Sequence, residues 1–170
     1  MHQLCPPWHP NMQNLGQFLI RPAKNGDEHG ILRCLAAAFE PYRVSYTPEA
    51  YADTVLDEAS LAKRLQRMHV LVASSAEEIA GTVAASQANG EGHLRGMAVL
   101  PKYCGNGLAV ALLIAIESWL NDYGCKRVTL NTTLPLQPAI KFYEKNGYTR
   151  SGRIADFFGM PLVEYVKELV

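Results

Sequence analysis

The run from His93 to Tyr123, HLRGMAVLPKYCGNGLAVALLIAIESWLNDY, passes from strand to glycine-rich turn to long apolar helix without a break. No other stretch limits the fold as tightly. Gly105, Asn106 and Gly107 stand where the turn feeds the helix. The first helical N–H groups therefore lack carbonyl partners, and the helix dipole adds partial positive charge at the same place. A phosphate suits such a site. Glycine serves it by permitting positive φ and by leaving the backbone open to close approach.

The spacing excludes two familiar phosphate loops. Val110 stands where the dinucleotide fingerprint G-x-G-x-x-G needs its third glycine, and no Gly-Lys-Ser/Thr follows the turn. A triphosphatase loop would thus lack both its lysine and its magnesium-binding hydroxyl. On the residues alone, a tight strand-to-helix turn without a ligand stays an open alternative.

The rest of the chain narrows the class. Its 170 residues fit one domain, and 48% hydrophobic with 19% charged residues is ordinary for a globular protein. Sixteen basic residues balance sixteen acidic ones, so no electrostatic footprint for nucleic acid or an anionic membrane is present. The apolar run Leu108 to Ile116 is too short for a membrane span and meets Glu117. The N-terminal MHQLCPPWHPNMQNLGQ has no Lys or Arg and no apolar h-region, so a signal peptide is not expected and a cytoplasmic location is. Its prolines predict an irregular tail over residues 1–17, with Met12 as an alternative start. Cys5, Cys34, Cys104 and Cys125 lack C-x-x-C spacing and the histidines lack an H-x-x-x-H pair, so neither a disulfide framework nor a metal site is expected.

Periodicity and punctuation order the elements. Phe18 to Arg21 reads as a first strand ending at Pro22. A helix with Asp27 as N-cap buries Ile31, Leu35, Ala38 and Phe39 until Pro41 stops it. Tyr42 to Met68 reads as two helical pieces, near Pro48 to Leu56 and Ser60 to Met68. Val70 to Ala73, Ile79 to Ser86 and His93 to Leu100 predict an antiparallel meander. The helix from Gly107 to Tyr123 is apolar on nearly every side and needs wide burial. Lys126 to Asn131 reads as a strand, and Pro138 opens a short helix capped by Asn146-Gly147. Tyr148 to Ile154 and Leu162 to Leu169 close the chain as a hairpin around Asp156 to Pro161.

The turn Cys104-Gly105-Asn106-Gly107-Leu108-Ala109 resembles the Q/R-x-x-G-x-G/A cofactor motif of the GNAT superfamily of N-acetyltransferases. Downstream, Ala139-Ile140-Lys141-Phe142-Tyr143-Glu144-Lys145-Asn146-Gly147-Tyr148 is similar to that family's A-x-x-hydrophobic-Y-E-K-x-G-F/Y block. The resemblance covers residues 18–170 and implies one α/β (α+β) domain. Its mixed, mostly antiparallel sheet would be splayed at the centre, between the strand ending at Leu100 and that of Lys126 to Asn131, with helices on both faces. It also implies acetyl-CoA as cosubstrate. The cofactor-binding residues would be Met97, Ala98 and Val99 of the strand, Cys104, Gly105, Asn106, Gly107, Leu108 and Ala109 of the turn, and Asn131 and Phe142. Cys104 replaces the usual Gln or Arg, and Leu136 replaces an Asn, each removing a hydrogen bond to CoA worth about 1 kcal/mol.

Acetyl transfer to an amine needs a free nitrogen lone pair, an oxyanion stabiliser and a proton for the departing thiolate. Tyr143 matches the family's thiolate-protonating tyrosine, against the alternative of a core tyrosine. His93 stands where some members place a Glu or His, and an unperturbed pKa of about 6.5 suits a base. The alternatives are a solvated strand-end histidine and proton removal by water. Under strict alternation Arg95 and Met97 share its face. Arg95, Arg43, Asp156 and Glu40 are candidate readers of acceptor charge, although isolated exposed charges usually do nothing specific. Tyr42, Tyr46, Tyr51, Phe157 and Phe158 make the flanking segments aromatic, which suits a small, partly apolar amine or amino acid. Cys104 belongs by the pyrophosphate and is not read as a nucleophile. A catalytically idle acyl-CoA-binding module is the competing function, and a homodimer is as open as a monomer.

Overall fold

The computed structural model describes residues 14–170; residues 1–13, most of the stretch read as an irregular tail, lie outside the described residues. The described part of that stretch departs from the expectation. Asn14–Leu15 is a two-residue strand (β1), paired antiparallel with Phe18 and Leu19 of the next strand, Phe18–Pro22 (β2).

Glu28–Phe39 forms helix α1, followed by a 3₁₀ turn over Glu40–Ser45. Asp27 takes the N-cap position without the capping bond. Its carboxylate is instead held by the Arg21 guanidinium at 2.6 and 3.0 Å and by the Lys24 N–H at 2.8 Å. The Arg21 hydrogen bonds outweigh burial and keep Asp27 below the usual carboxylate range. The two expected helical pieces are present as Pro48–Thr54 (α2) and Glu58–Arg67 (α3). Thr47 and Asp57 cap them, accepting from the N–H of Ala50 and Ser60.

His69–Ser74 (β3), Ile79–Ala88 (β4) and Glu91–Val99 (β5) make the expected antiparallel meander. Then come Leu108–Asp122 (α4), Arg127–Thr133 (β6) and Gln137–Lys145 (α5). Thr149–Phe157 (β7) and Met160–Glu168 (β8) close the chain. Their turn is only Phe158-Gly159, both at positive φ, tighter than the expected Asp156 to Pro161. Such a two-residue turn matches the twist of the strands it joins.

The eight strands form one sheet in the order β1-β2-β3-β4-β5-β6-β8-β7. Only the β5–β6 pair is parallel. Helices cover both faces. On one, α4 and α5 bury Leu112, Ile116, Leu120, Ile140 and Tyr143 against Val83, Leu94 and Tyr165. On the other, Ile31, Leu35 and Leu61 pack against Val70, Ala84 and Ala98. Burial of α4 is less complete than its composition suggested, since Val110 and Ile114 stay 37% and 47% exposed. No helix of the described residues is long and apolar enough to cross a membrane.

One irregularity in β5 shapes everything that follows. Arg95 pairs with Ala84 and Ala98 with Thr82, so β5 holds one residue more than β4 over this interval. Gly96, at φ +63°, supplies the left-handed backbone that a side chain would resist. A bulge bends its strand and sharpens its twist, and pairing with β6 is confined to Glu91–Leu94 against Arg127–Leu130. Beyond Leu94 the two strands part, which is the expected splay. The extra residue also corrects the reading by strict alternation. Met97 packs with the α4 cluster, while Ala98 lies in the α1 cluster, so Met97 does not share the face of His93 and Arg95.

Candidate active site

The parted strands leave a cleft of about 810 Å³ lined by residues from both faces of the sheet. β5 runs along it, from His93 and Arg95, which share the lining with Asp53 of α2, Arg64 of α3 and β6, to Val99, which leads to the glycine turn and α4, while α5 and the 3₁₀ turn complete the walls. Of the residues singled out from sequence, His93, Met97, Ala98, Val99, Cys104, Gly105, Gly107, Ala109, Asn131, Phe142 and Tyr143 line it. Asn106 and Leu108 do not. Asn106 is exposed on the turn, and the Leu108 side chain is 2% exposed in the core.

Gly107 is the N-cap of α4 at φ +79°, Gly105 stands at φ +83°, and the first intrahelical bond is Ala111 N–H to Gly107 C=O at 3.0 Å. The N–H groups of Leu108, Ala109 and Val110 precede that bond and have no helical carbonyl to reach. A Cβ at Gly105 or Gly107 would meet nothing within 4 Å, so backbone conformation and not crowding requires glycine here. The open space leaves these N–H groups accessible to an anion. Cys104 is exposed at the same turn, Leu136 is the N-cap of α5, and Lys145 brings a cation to the cleft wall.

Tyr143 is 8% exposed on α5, its ring 5.3 Å from Phe142 and 5.6 Å from Tyr148. It is therefore a core side chain that also reaches the cleft, and the two sequence alternatives coincide. Its hydroxyl makes no hydrogen bond within the described residues. Burial pushes its pKa well above the usual value, so the phenol keeps its proton at neutral pH.

His93 is half-buried on β5, opposite Thr129 of β6 in the last paired stretch. Its Nδ1 lies 2.9 Å from Thr129 Oγ1, and that hydroxyl donates to the Gly92 carbonyl at 3.3 Å. The hydroxyl proton being engaged, the network assigns Nδ1–H as donor to Thr129 and leaves Nε2 with its lone pair. Burial, then repulsion from Arg95, holds the imidazole below its ordinary pKa, against the opposing pull of Glu164 and Glu91. His93 is neutral at pH 7. Asn131, two residues after Thr129, extends the same face beyond the last β5–β6 pair.

The charges considered from sequence all have partners within the protein. Arg95 bonds Asp53 of α2 at 2.5 Å, Arg43 bonds Glu40 at 2.8 Å, and Asp156 accepts from Gly159 N–H at 3.3 Å. Tyr42, Tyr46 and Phe157 line the cleft, and the Tyr46 hydroxyl shares a hydrogen bond of 2.6 Å with Thr133, whereas Phe158 is 51% exposed on its turn. Thr129, Asp53 and Arg64 were missed by sequence reasoning. Thr129 and Asp53 act through pairings across elements, which no local pattern signals. Arg64 left one trace, a cation in the inward stripe Leu61, Arg64, Leu65 and Met68 of α3.

Comparison with known proteins bears on this geometry. The family model of the acetyltransferase (GNAT) family matches residues 31–148. An aminoglycoside N(6')-acetyltransferase type 1 of Stenotrophomonas maltophilia is 27% identical over 137 residues, covering 75% of this chain and 88% of that protein. Among solved structures, the PaiA N-acetyltransferase of Thermoplasma acidophilum in complex with coenzyme A superposes with a TM-score of 0.75 at 16% identity, covering 89% of this chain and 99% of that one. The ribosomal-protein-S18-alanine N-acetyltransferase of Escherichia coli gives 0.71 at 18% identity, covering 89% and 93%. The two structures share the fold, and the family model spans the split strands, the glycine turn and the Tyr143 helix. The chain belongs to the GNAT family of acetyltransferases and is an N-acetyltransferase that uses acetyl-CoA.

Proposed function

We propose that the chain acetylates the amine of a small molecule by direct attack on the thioester, with His93 as base and Tyr143 as proton donor to sulfur. The observation that carries this reading is that His93, on the α1 face, and Tyr143, in the α4 cluster, line one cleft running through the parted sheet. Two substrates can thus approach from opposite faces and meet at the split. The cleft's size favours a small acceptor.

The residues present fit acetyl-CoA. The glycine turn offers accessible N–H groups, and β5 beyond Leu94 has an edge not paired with β6, to which an extended amide-bearing chain can bond. Bound there, acetyl-CoA supplies the activated acetyl group. Nε2 of His93, its ring oriented by Thr129, accepts the proton that the amine loses as its nitrogen bonds to the carbonyl carbon. The carbon–sulfur bond breaks, and the Tyr143 phenol hydrogen-bonds to the departing sulfur. From reference values of about 10 for a phenol and about 8.5 for a thiol, complete proton transfer is uphill by roughly 2 kcal/mol. Burial raises that cost, so stabilisation of the developing negative charge comes first.

The base role sets the sign of the pH dependence. Activity requires neutral His93, so kcat/KM falls as pH drops through an ionisation below about 6.5. His93→Gln removes this acid limb and lowers kcat/KM on the plateau. An unchanged pH profile assigns the proton to water or another group.

Cys104→Arg places a cationic donor at the exposed turn and tightens CoA by about 1 to 2 kcal/mol. Isothermal titration of CoA reads this directly. No gain means that position 104 faces away from the phosphates.

A further inference from the structure

We infer that Arg64 reads a carboxylate on the acceptor, so that the amine taken by this enzyme is an amino acid or a close relative of one. This rests on the small-amine reading above and names the class of acceptor. Arg64 lies on the inward stripe of α3 with Leu61, Leu65 and Met68, where an apolar residue would complete the packing. Its guanidinium covers the β5 bulge: a Cβ at Gly96 would collide with Nη1. From there it borders the cleft.

The charges around it leave it without an acid. Asp53, whose charge reaches Arg64 only at longer range, is bound to Arg95, and no carboxylate of the described residues forms an ion pair with Arg64. Burial, reinforced by Arg95 and opposed in part by Asp53, holds the guanidinium down to about 10, as expected for a buried cation without an ion pair. An arginine presents five donors in a planar fork that matches a carboxylate. Among the side chains that line this part of the cleft, Asp53 offsets Arg95 and His93 is neutral, so the Arg64 guanidinium is left without an ion-pair partner, while Glu164 acts on His93 from outside the lining. A carboxylate on the acceptor supplies that partner.

The CoA phosphates are poor candidates for this partner. Gly96 and Leu100 are separated by about 13 Å of strand at about 3.3 Å per residue, and the phosphate turn lies beyond Leu100. Arg64 therefore stands towards the acceptor end, near His93. A polycationic acceptor would meet two guanidiniums there. Tyr42, Tyr46 and Phe157 provide an apolar wall for the remainder of an amino acid.

The test compares α-amino acids with their α-carboxamides, which keep the amine and remove only the negative charge, together with a polyamine and an aminoglycoside. Thiol release from acetyl-CoA is followed for wild type, Arg64→Gln and Arg64→Lys, with melting temperatures as a control. Wild type is expected to prefer carboxylates. Arg64→Gln is expected to lower kcat/KM for carboxylates about 30-fold or more, chiefly through KM. Its activity on the carboxamides and its CoA affinity should stay within about threefold, and Arg64→Lys should retain part of the preference. Equal losses on carboxylates and carboxamides, or a wild-type preference for carboxamides or polycations, overturn the inference while leaving the transferase reading intact.

Absence of transfer to every amine would sink the small-amine reading itself. Calorimetry with N-acetyl amino acids and their carboxamides, in the presence of CoA, then decides Arg64 separately. Tighter binding of the carboxylates that is lost in Arg64→Gln supports the inference, and equal binding refutes it. Should Arg64→Gln fail to fold, the wild-type preference and its partial retention in Arg64→Lys decide the matter.

Discussion

Gly107→Glu weakens CoA binding by about 100-fold or more while leaving a folded protein. The substitution acts on the anion site in two ways. It puts a side chain on a backbone held at φ +79°, and it brings a negative charge to the N–H groups that begin α4. The first effect costs roughly 1 to 2 kcal/mol of stability. The second pits a carboxylate against the pyrophosphate for the same donors, and together they weaken binding by about 100-fold or more, within the reach of a lost charge-assisted site. Gly107→Ala separates the two contributions, since it carries the backbone strain without the charge and keeps most of the affinity. Calorimetric titration with CoA at fixed ionic strength, beside melting temperatures for all three proteins, gives the comparison. An unchanged affinity in Gly107→Glu would place the phosphates elsewhere.

Tyr143→Phe reduces kcat by about 10² or more, the lower part of the range for general acid catalysis. The variant retains the ring packed between Phe142 and Tyr148, and it removes a hydroxyl that makes no hydrogen bond within the described residues. Melting temperature and CoA affinity consequently stay near wild type. Because burial holds the phenol protonated, its effect should persist across the neutral range. It does not produce a separate ionisation there. Full activity would reduce Tyr143 to a packing residue of the α4 cluster.

The fold was largely legible because its elements carry local signals. The strand-turn-helix run from His93 to Tyr123 is present as β5, the glycine turn and α4, and Pro138 stands in the first turn of α5, one residue after its start at Gln137, as its fixed φ allows. Among the expectations that failed, two show a tertiary reason most directly. Asp27 gives its carboxylate to Arg21 of β2 and not to the helix it precedes. Asn14–Leu15, in a stretch read as tail, is ordered as a strand because β2 offers it an edge.

For the site, the sequence determined which residues form the anion turn and which helix brings Tyr143. Turn chemistry, helix periodicity and the family motifs are all written in residues close together along the chain. Tertiary structure alone decided what surrounds them. The bulge at Gly96 turns Met97 away from the face of His93, and Thr129 fixes the His93 ring from a strand 36 positions away. Arg95 is withdrawn by Asp53, while Arg64 is left facing the cleft. Charge pairing and burial depend on distances between elements, and a local pattern specifies which faces are apolar without specifying which atoms meet across them.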